Sequence, residues 1–381
     1  MISLNVMAGV YVHIPFCKQR CIYCDFYSTT GSVLKTAYIC DVVAEARHRQ
    51  GELPADECVK TLYLGGGTPS QLDPEAMTVM LNGLRQALPL DALEEFTVEV
   101  NPDDVTLEYL QWMKSLGVNR VSMGVQSFVD RELQLIRRRH DARAAQQAVR
   151  CIRDAGINNI SIDLIYGIPG QTVDSWHHSV EEAVALSVQH ISAYNLSYEK
   201  GTPLWRMREL GQVTEVDDDT CVAMYQLLVE RMKEAGYEHY EISNFALPGY
   251  HSRHNSAYWD GTPYLGLGAA AHSFDGKVRR YNPADLQKYL DRINEDGVAY
   301  EEEQLTTDEL YDETVMLALR TSRGLDTAIV HDRFGQEVYD YLMAQARPHI
   351  DAGYLTALGG WLRLTPQAVM LSDAIIRDLF M

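Results

Sequence analysis

Six short apolar runs alternate with longer stretches of helical spacing along the first half of the chain, and this alternation restricts the fold more than any other feature. The runs are YVHIPF from Tyr11, VKTLYLG from Val59, FTVEVN from Phe96, RVSMGVQS from Arg120, ISIDLIYG from Ile160 and HISAYNLS from His190. Each is rich in β-branched or aromatic residues and most close on Gly, Asn or Ser, as buried parallel strands do. Between them, segments such as LKTAYICDVVAEARHRQ, PEAMTVMLNGLRQAL and ARAAQQAVRCIRDAG repeat apolar residues three and four apart. Strand–helix alternation predicts a parallel α/β fold, most economically a partial (β/α)6 barrel of TIM type, with a doubly wound open sheet as the rival. The barrel is favoured by where the unusual residues fall. Cys17 to Cys24, Gly65 to Pro69, Glu99, Gln126 and Asp163 lie at or just past the C-terminal ends of the predicted strands, the face on which barrels build their sites.

After Ser197 the pattern changes. A helix is predicted over about 217–235, then YEHYEISNF leads into PGYHSRHNSAYWDGTPYLGLGAAAHSF, rich in glycine and aromatic residues. From about Leu305 the spacing predicts helices, then two short strands about Gly359-Gly360 and a final helix, the order of a small winged-helix-like module. The expected organisation is a barrel over 1–200, a barrel extension suited to ligand binding over 201–300, and the winged-helix-like module over 301–381.

Charge narrows the partners. The net charge of -20 disfavours broad contact with nucleic acid or an anionic membrane, because phosphate surfaces need clustered cations. RRRH, from Arg137 to His140, is the one local basic patch. No apolar run is long enough to span a bilayer, and MISLNVMAGVYVHIPF lacks the parts of a cleaved leader, so a cytoplasmic location is expected.

Of seven cysteines, three crowd into HIPFCKQRCIYCDFYS as Cys17, Cys21 and Cys24. The other four, Cys40, Cys58, Cys151 and Cys221, are scattered and read as small buried hydrophobes rather than a disulfide framework. Cys21 and Cys24 alone make a C-x-x-C pair, but a zinc site wants four ligands, commonly from two such pairs, and a redox pair leaves Cys17 unused. Three thiolates on one short loop suit three irons of a 4Fe-4S cluster, whose fourth iron stays open to another ligand. S-adenosylmethionine can chelate that iron through its amino and carboxylate groups. C-x-x-x-C-x-x-C just after the first strand resembles the motif of radical S-adenosylmethionine proteins. GGGTPS, Gly65 to Ser70, lacks the Lys of a phosphate-binding loop, and its glycines admit close backbone approach by a ligand.

In order along the chain, YVHIPFCKQRCIYCDF, GGGTPS, VEVNPDD, SMGVQSF, LIRRRH and IDLIYGIPGQT resemble the oxygen-independent coproporphyrinogen III dehydrogenase family and its haem-chaperone branch. The resemblance implies cluster ligation by Cys17, Cys21 and Cys24. It places Tyr11 and Tyr23 beside S-adenosylmethionine, Gly66, Gly67 and Thr68 at its methionine end, and Glu99, Gln126, Arg138 and Asp163 on its polar groups. Such roles suit the residue types, since Arg pairs a carboxylate bidentately and Asp or Glu accepts from hydroxyls or an ammonium.

Two functions of different class follow: radical decarboxylation of coproporphyrinogen III, or haem carriage on a retained radical scaffold. The dehydrogenase motif continues C-x-x-x-C-x-x-C-x-C, whereas Phe26 stands at the last of those positions here. That enzyme also carries an N-terminal extension, and only ten residues precede Tyr11. HNSAYW, His254 to Trp259, resembles the H-N-x-x-Y-W motif of the chaperone branch, with His254 as the haem ligand and His272 in GAAAHSF as a second candidate. Ala270 departs from the glycine frequent there in relatives. The expected function is haem carriage to acceptor haemoproteins, respiratory ones among them, without nucleic acid, with peripheral membrane contact and a homodimer both allowed.

Overall fold

The computed structural model describes residues 9–53 and 59–381. Its first six strands are β1 (Gly9–Ile14), β2 (Thr61–Gly66), β3 (Glu95–Val100), β4 (Arg120–Gln126), β5 (Asn159–Tyr166) and β6 (His190–Asn195). They pair in parallel in that order, with Tyr11 level with Tyr63 and Thr97 level with Arg120. Because strand side chains alternate in direction, each strand sorts its residues between two faces. Val10, Val12, Leu62, Leu64, Val98, Val121, Met123, Ile162 and Ile191 face outward and are buried under the helices. The residues between them, Tyr11, His13, Tyr63, Glu99, Arg120, Ser122, Asp163 and Ser192, face inward. The strands are therefore apolar on one side only, and the inside of the barrel is polar.

Helices α1 (Lys35–His48), α2 (Pro74–Ala87), α3 (Leu107–Ser115), α4 (Asp130–Leu135), α5 (Ala142–Asp154) and α6 (Val173–Ala185) cross between strands on the outer side. Asp73, Thr106, Asp141 and Thr172 each cap a helix start by accepting from a backbone N–H in the first turn. Exposed Cys40 on α1 departs from the expectation of burial, because it lies on the solvent side of that helix, whereas Cys221 is buried and Cys151 half-buried. Cys58 lies outside the described residues.

The chain continues through α7 (Pro203–Glu209), α8 (Asp218–Glu234), β7 (Glu238–Glu241), β8 (Asn244–Ala246), α9 (Arg253–Trp259), β9 (Tyr264–Leu267), β10 (His272–Phe274), β11 (Val278–Tyr281), α10 (Leu286–Asp296) and β12 (Glu301–Gln304). These strands lengthen the sheet at both edges: β8 and β7 follow β6, while β9 pairs in parallel with β1 and leads to β10, β11 and β12. A buried polar knot ties the second extension to α1. Arg49 donates to Glu45 and to the Gly266 carbonyl, both at 2.9 Å, and Glu45 accepts from the Gly268 N–H and from Tyr289 at 2.8 Å.

Residues from Thr307 form α11 (Thr307–Leu319), β13 (Leu325–Asp326), α12 (Thr327–Phe334), α13 (Gln336–Asp351), β14 (Leu355–Leu358), β15 (Trp361–Leu364) and α14 (Ser372–Arg377). Their core of Tyr311, Val315, Leu342, Leu355, Leu362 and Ile376 is separate from that of the barrel. Gly359 and Gly360, at φ 61° and 82°, make the tight β14–β15 turn that needs two left-handed residues. Helix, strand, two helices and hairpin give the winged-helix-like order.

Candidate functional site

The three clustered thiols lie on the segment joining β1 to α1, and that segment is pinned at several points. The Cys17 N–H donates to the Thr29 carbonyl at 2.9 Å, and Thr29 N–H to the Pro15 carbonyl at 2.7 Å. Buried Ile22 packs with Ile136, Ile165, Ile168 and Leu204. Cys17, Cys21 and Cys24 are partly exposed and free of disulfides. Burial pushes the Cys17 thiol up and the Cys24 thiol up to about 11. Two donors face the sulfurs, with Thr68 Oγ1 3.6 Å from Cys17 Sγ and Arg138 Nη1 3.4 Å from Cys21 Sγ. Among the described residues no three Cys, His, Asp or Glu side chains converge on a single-ion position. A cluster does not require that, because each thiolate binds a different iron.

The thiols border a cavity of about 610 Å³ that runs into the barrel. Its glycine side is shaped by contact with β1: a Cβ on Gly67 would lie 2.7 Å from the Ile14 carbonyl oxygen, and Gly66 has a φ of 105° with the His13 ring 2.5 Å from where its Cβ would be. No other residue type fits either place. Glu99 Oε2 accepts from the Gly66 N–H at 3.1 Å and Oε1 from the Tyr63 hydroxyl at 2.8 Å. Burial raises the Glu99 carboxyl to about 7 against these bonds, and the Asp163 carboxyl to about 6. Gln126 sits at φ 72°, where the β4–β5 register slips after Gly124, which turns its amide inward. Arg138 follows Arg137, itself at φ 57°, and donates to Asn101 Oδ1 at 2.6 Å and to the Gly124 carbonyl.

Whether a polar ligand fits here is answered by the groups the protein leaves without partners. Gln126 Oε1, Arg138 Nε and Arg120 Nε and Nη1 are buried with no hydrogen-bond partner among the described residues. Other buried atoms, such as those of Tyr109, Asn159 and Arg320, also lack partners, but Gln126, Arg138 and Arg120 line one cavity. Beside the thiols, the acceptor of Gln126 and the donor of Arg138 suit a ligand carrying an ammonium, a carboxylate and hydroxyls, which is the functional-group set of S-adenosylmethionine, while Arg120 lies deeper.

Of the expected site residues, Cys17, Cys21, Cys24, Tyr23, Gly66, Gly67, Thr68, Glu99, Gln126, Arg138 and Asp163 share this cavity. Tyr11 does not reach it: it lies deeper, beside Tyr63, His13 and His254, and its hydroxyl bonds His13 Nδ1 at 3.1 Å. His254 differs further from expectation. It stands on α9, is 2% exposed, and has both ring nitrogens engaged, Nδ1 with Thr61 Oγ1 at 2.8 Å and Nε2 with the Tyr258 hydroxyl at 2.9 Å. Its ring stacks on Tyr63, and the N–H groups of Arg253 and His254 donate to the two oxygens of Glu95. Since Gly9, Thr61 and Glu95 begin their strands, α9 closes the floor of the barrel, and as placed His254 has no nitrogen to offer an iron. His272 is exposed on β10, beside Tyr281. Ala270 takes a φ of 62°, the left-handed region that glycine enters without strain. RRRH forms no basic patch, since Arg138 turns inward and Arg139 pairs with Asp103 and Asp104.

Three further cavity residues carry weight. Asn101 bridges Arg138 and Thr68, Tyr63 supports Glu99, and Arg120 faces inward from the start of β4. Asn101 stands within VEVNPDD and was within reach of the motif. Tyr63 and Arg120 carry no local signal beyond their inward parity.

The Radical SAM superfamily model matches residues 11–183, and the HemN C-terminal domain model residues 305–371. The chain is 32% identical over 371 residues to the heme chaperone HemW of Bacillus subtilis, covering 97% of this chain and 98% of that one. Over 377 residues it is 36% identical to the heme chaperone HemW of Mycobacterium tuberculosis, covering 97% and 94%. Among solved structures, coproporphyrinogen III oxidase (HemN) from Escherichia coli, described as a radical SAM enzyme, superposes with a TM-score of 0.86 over 100% of this chain and 92% of that one. At 24% identity this is a likeness of fold. Near-complete coverage by relatives above 30% identity, with thiols, glycine edge and inward polar groups around one cavity, settles the family: the chain belongs to the HemW family of radical S-adenosylmethionine proteins.

Proposed function

We propose that the chain is a haem chaperone of the cytoplasm, which binds haem and passes it to acceptor haemoproteins, with one 4Fe-4S cluster on Cys17, Cys21 and Cys24 and S-adenosylmethionine in the barrel cavity. The observation that carries the cofactor part is the set of partnerless buried groups, Gln126 Oε1 and Arg138 Nε, in the cavity the three thiols border. The haem part draws on the heme chaperones matched over the whole chain. When bound and reduced, the cluster supplies the electron that cleaves the sulfonium of S-adenosylmethionine. Around it, Arg138 holds a carboxylate, Glu99 and Asp163 accept from ammonium or hydroxyl groups, and Gly66 and Gly67 let the ligand lie against the backbone.

Haem can reach His254 only if α9 leaves the floor and breaks the bonds to Thr61, Tyr258 and Glu95. His272 needs no such step, so exposure favours it of the two. Against decarboxylation of coproporphyrinogen III stands Phe26, 70% exposed, which provides no ligand where the dehydrogenase keeps a thiol.

Anaerobic reconstitution with iron and sulfide tests this reading. About four irons per chain are expected, lost when any of Cys17, Cys21 or Cys24 becomes Ala. Haem added to the same protein should give a saturable absorption band that His272→Ala weakens. A band weakened only by His254→Ala, in protein that still unfolds cooperatively, would show that α9 opens on binding. Turnover of coproporphyrinogen III without a haem band would sink the chaperone reading.

A further inference from the structure

We propose that Arg120 binds the carboxylate of a second ligand, beneath the S-adenosylmethionine cradle in the deep end of the same cavity. The inference rests on the reading of the upper cavity as the S-adenosylmethionine site. Arg120 opens β4 and is 1% exposed, among the largest fully buried side chains of the protein. It lines the cavity together with Ser122, Ser192 and Asn255. Its Nε and Nη1 have no hydrogen-bond partner among the described residues. The two inward carboxylates near it, Glu99 and Asp163, attract it electrostatically, but neither makes a salt bridge or hydrogen bond to it among the described residues, and Glu99 is held by Tyr63 and Gly66.

A buried guanidinium without a partner is costly, and an apolar side chain of similar size is commonly neutral or better at such a place. Its planar fork matches the two oxygens of a carboxylate. The missing partner is therefore an anion with that geometry, brought by a ligand.

The carboxylate of S-adenosylmethionine does not suit the role. Its amino acid end belongs with the thiols, Gly66 and Gly67. Arg120 lies four residues before Gly124, which is level with Asp163, so the Arg120 backbone is roughly 13 Å deeper along the strand. Arg138 already serves the upper end. A separate small carboxylic acid, or the carboxylate arm of a larger ligand, fits the lower one.

The test uses reconstituted holoprotein, propionate as probe and two readouts, the thermal midpoint and S-adenosylmethionine affinity. Propionate should raise the midpoint of the wild type saturably, with and without S-adenosylmethionine. Arg120→Met should remove that response, keep S-adenosylmethionine affinity within about twofold, and melt no lower than the ligand-free wild type. Arg120→Lys, which keeps charge without the fork, should weaken propionate by about tenfold. The proposal is overturned if propionate displaces S-adenosylmethionine, if Arg120→Met responds like the wild type, or if that variant no longer folds. A wild type that binds propionate through Arg120 but never S-adenosylmethionine would instead defeat the reading of the upper cavity and leave the arginine site standing.

Discussion

The cavity wall and the helix that plugs its floor are built from equally polar residues and treat them in opposite ways. On α9 the buried polar groups have partners: His254 spends both ring nitrogens, Ser252 caps the helix, and Glu95 takes two backbone N–H groups. On the wall, Gln126, Arg138 and Arg120 keep buried atoms without partners. A completed hydrogen-bond set marks a polar group that serves the fold, and an incomplete one that also faces a cavity leaves a place for a ligand. The difference shifts weight from His254, whose motif suggests ligand binding, to Gln126, Arg138 and Arg120, the last of which stands in none of the motifs.

The contrast can be broken most directly at the plug. His254→Ala removes a buried stacked ring and strands the Thr61 and Tyr258 hydroxyls, so unfolding free energy in urea should fall by about 3 kcal/mol. A change below about 0.5 kcal/mol would mean that α9 is not structural. On the wall, Gly67→Ala should weaken S-adenosylmethionine by about 2 kcal/mol, roughly thirtyfold in equilibrium dialysis of reconstituted protein, because its Cβ meets the Ile14 carbonyl. An affinity left unchanged would take the glycine edge out of the site.

The smallest effect is one of pH. Burial raises Glu99 to about 7, so near neutrality the folded chain holds a proton that the unfolded chain has released. Stability from this group then falls as pH rises through 7, by about 1 kcal/mol between pH 6.5 and 8. The buried histidines His13, His140 and His254, lowered to about 4, 4 and 3, act in the opposite sense, mainly below pH 6.5. Comparing urea melts of wild type and Glu99→Gln cancels them, and an equal pH slope in both proteins would refute the assignment.

The six parallel strands and their crossover helices were legible because burial against helices demands a dense outward row of Val, Ile, Leu and Met, and such rows stand out in sequence. The inward rows are less visible, since Thr97, Arg120, Ser122 and His190 interrupt the apolar pattern without naming a partner. The hairpin at Gly359-Gly360 was legible from its two glycines. β7 to β12 were not, because strands of three or four residues lie below the length at which alternation can be recognised. In the site, the motifs name thiols, glycines and Glu99, which border one cavity. Tyr11 and His254 lie away from that cavity, because their side chains take partners from β2 and α9, far apart in the chain.

One pairing also bears on the order of assembly. β1, which carries the thiol segment at its end, lies between β2 and β9, and β9 begins only at Tyr264, after all six βα units. During synthesis the side of β1 that later meets β9 stays uncovered while more than half the chain emerges, and long-range pairings of this kind form late. The thiol strand is among the first segments to be made and among the last to gain its second neighbour.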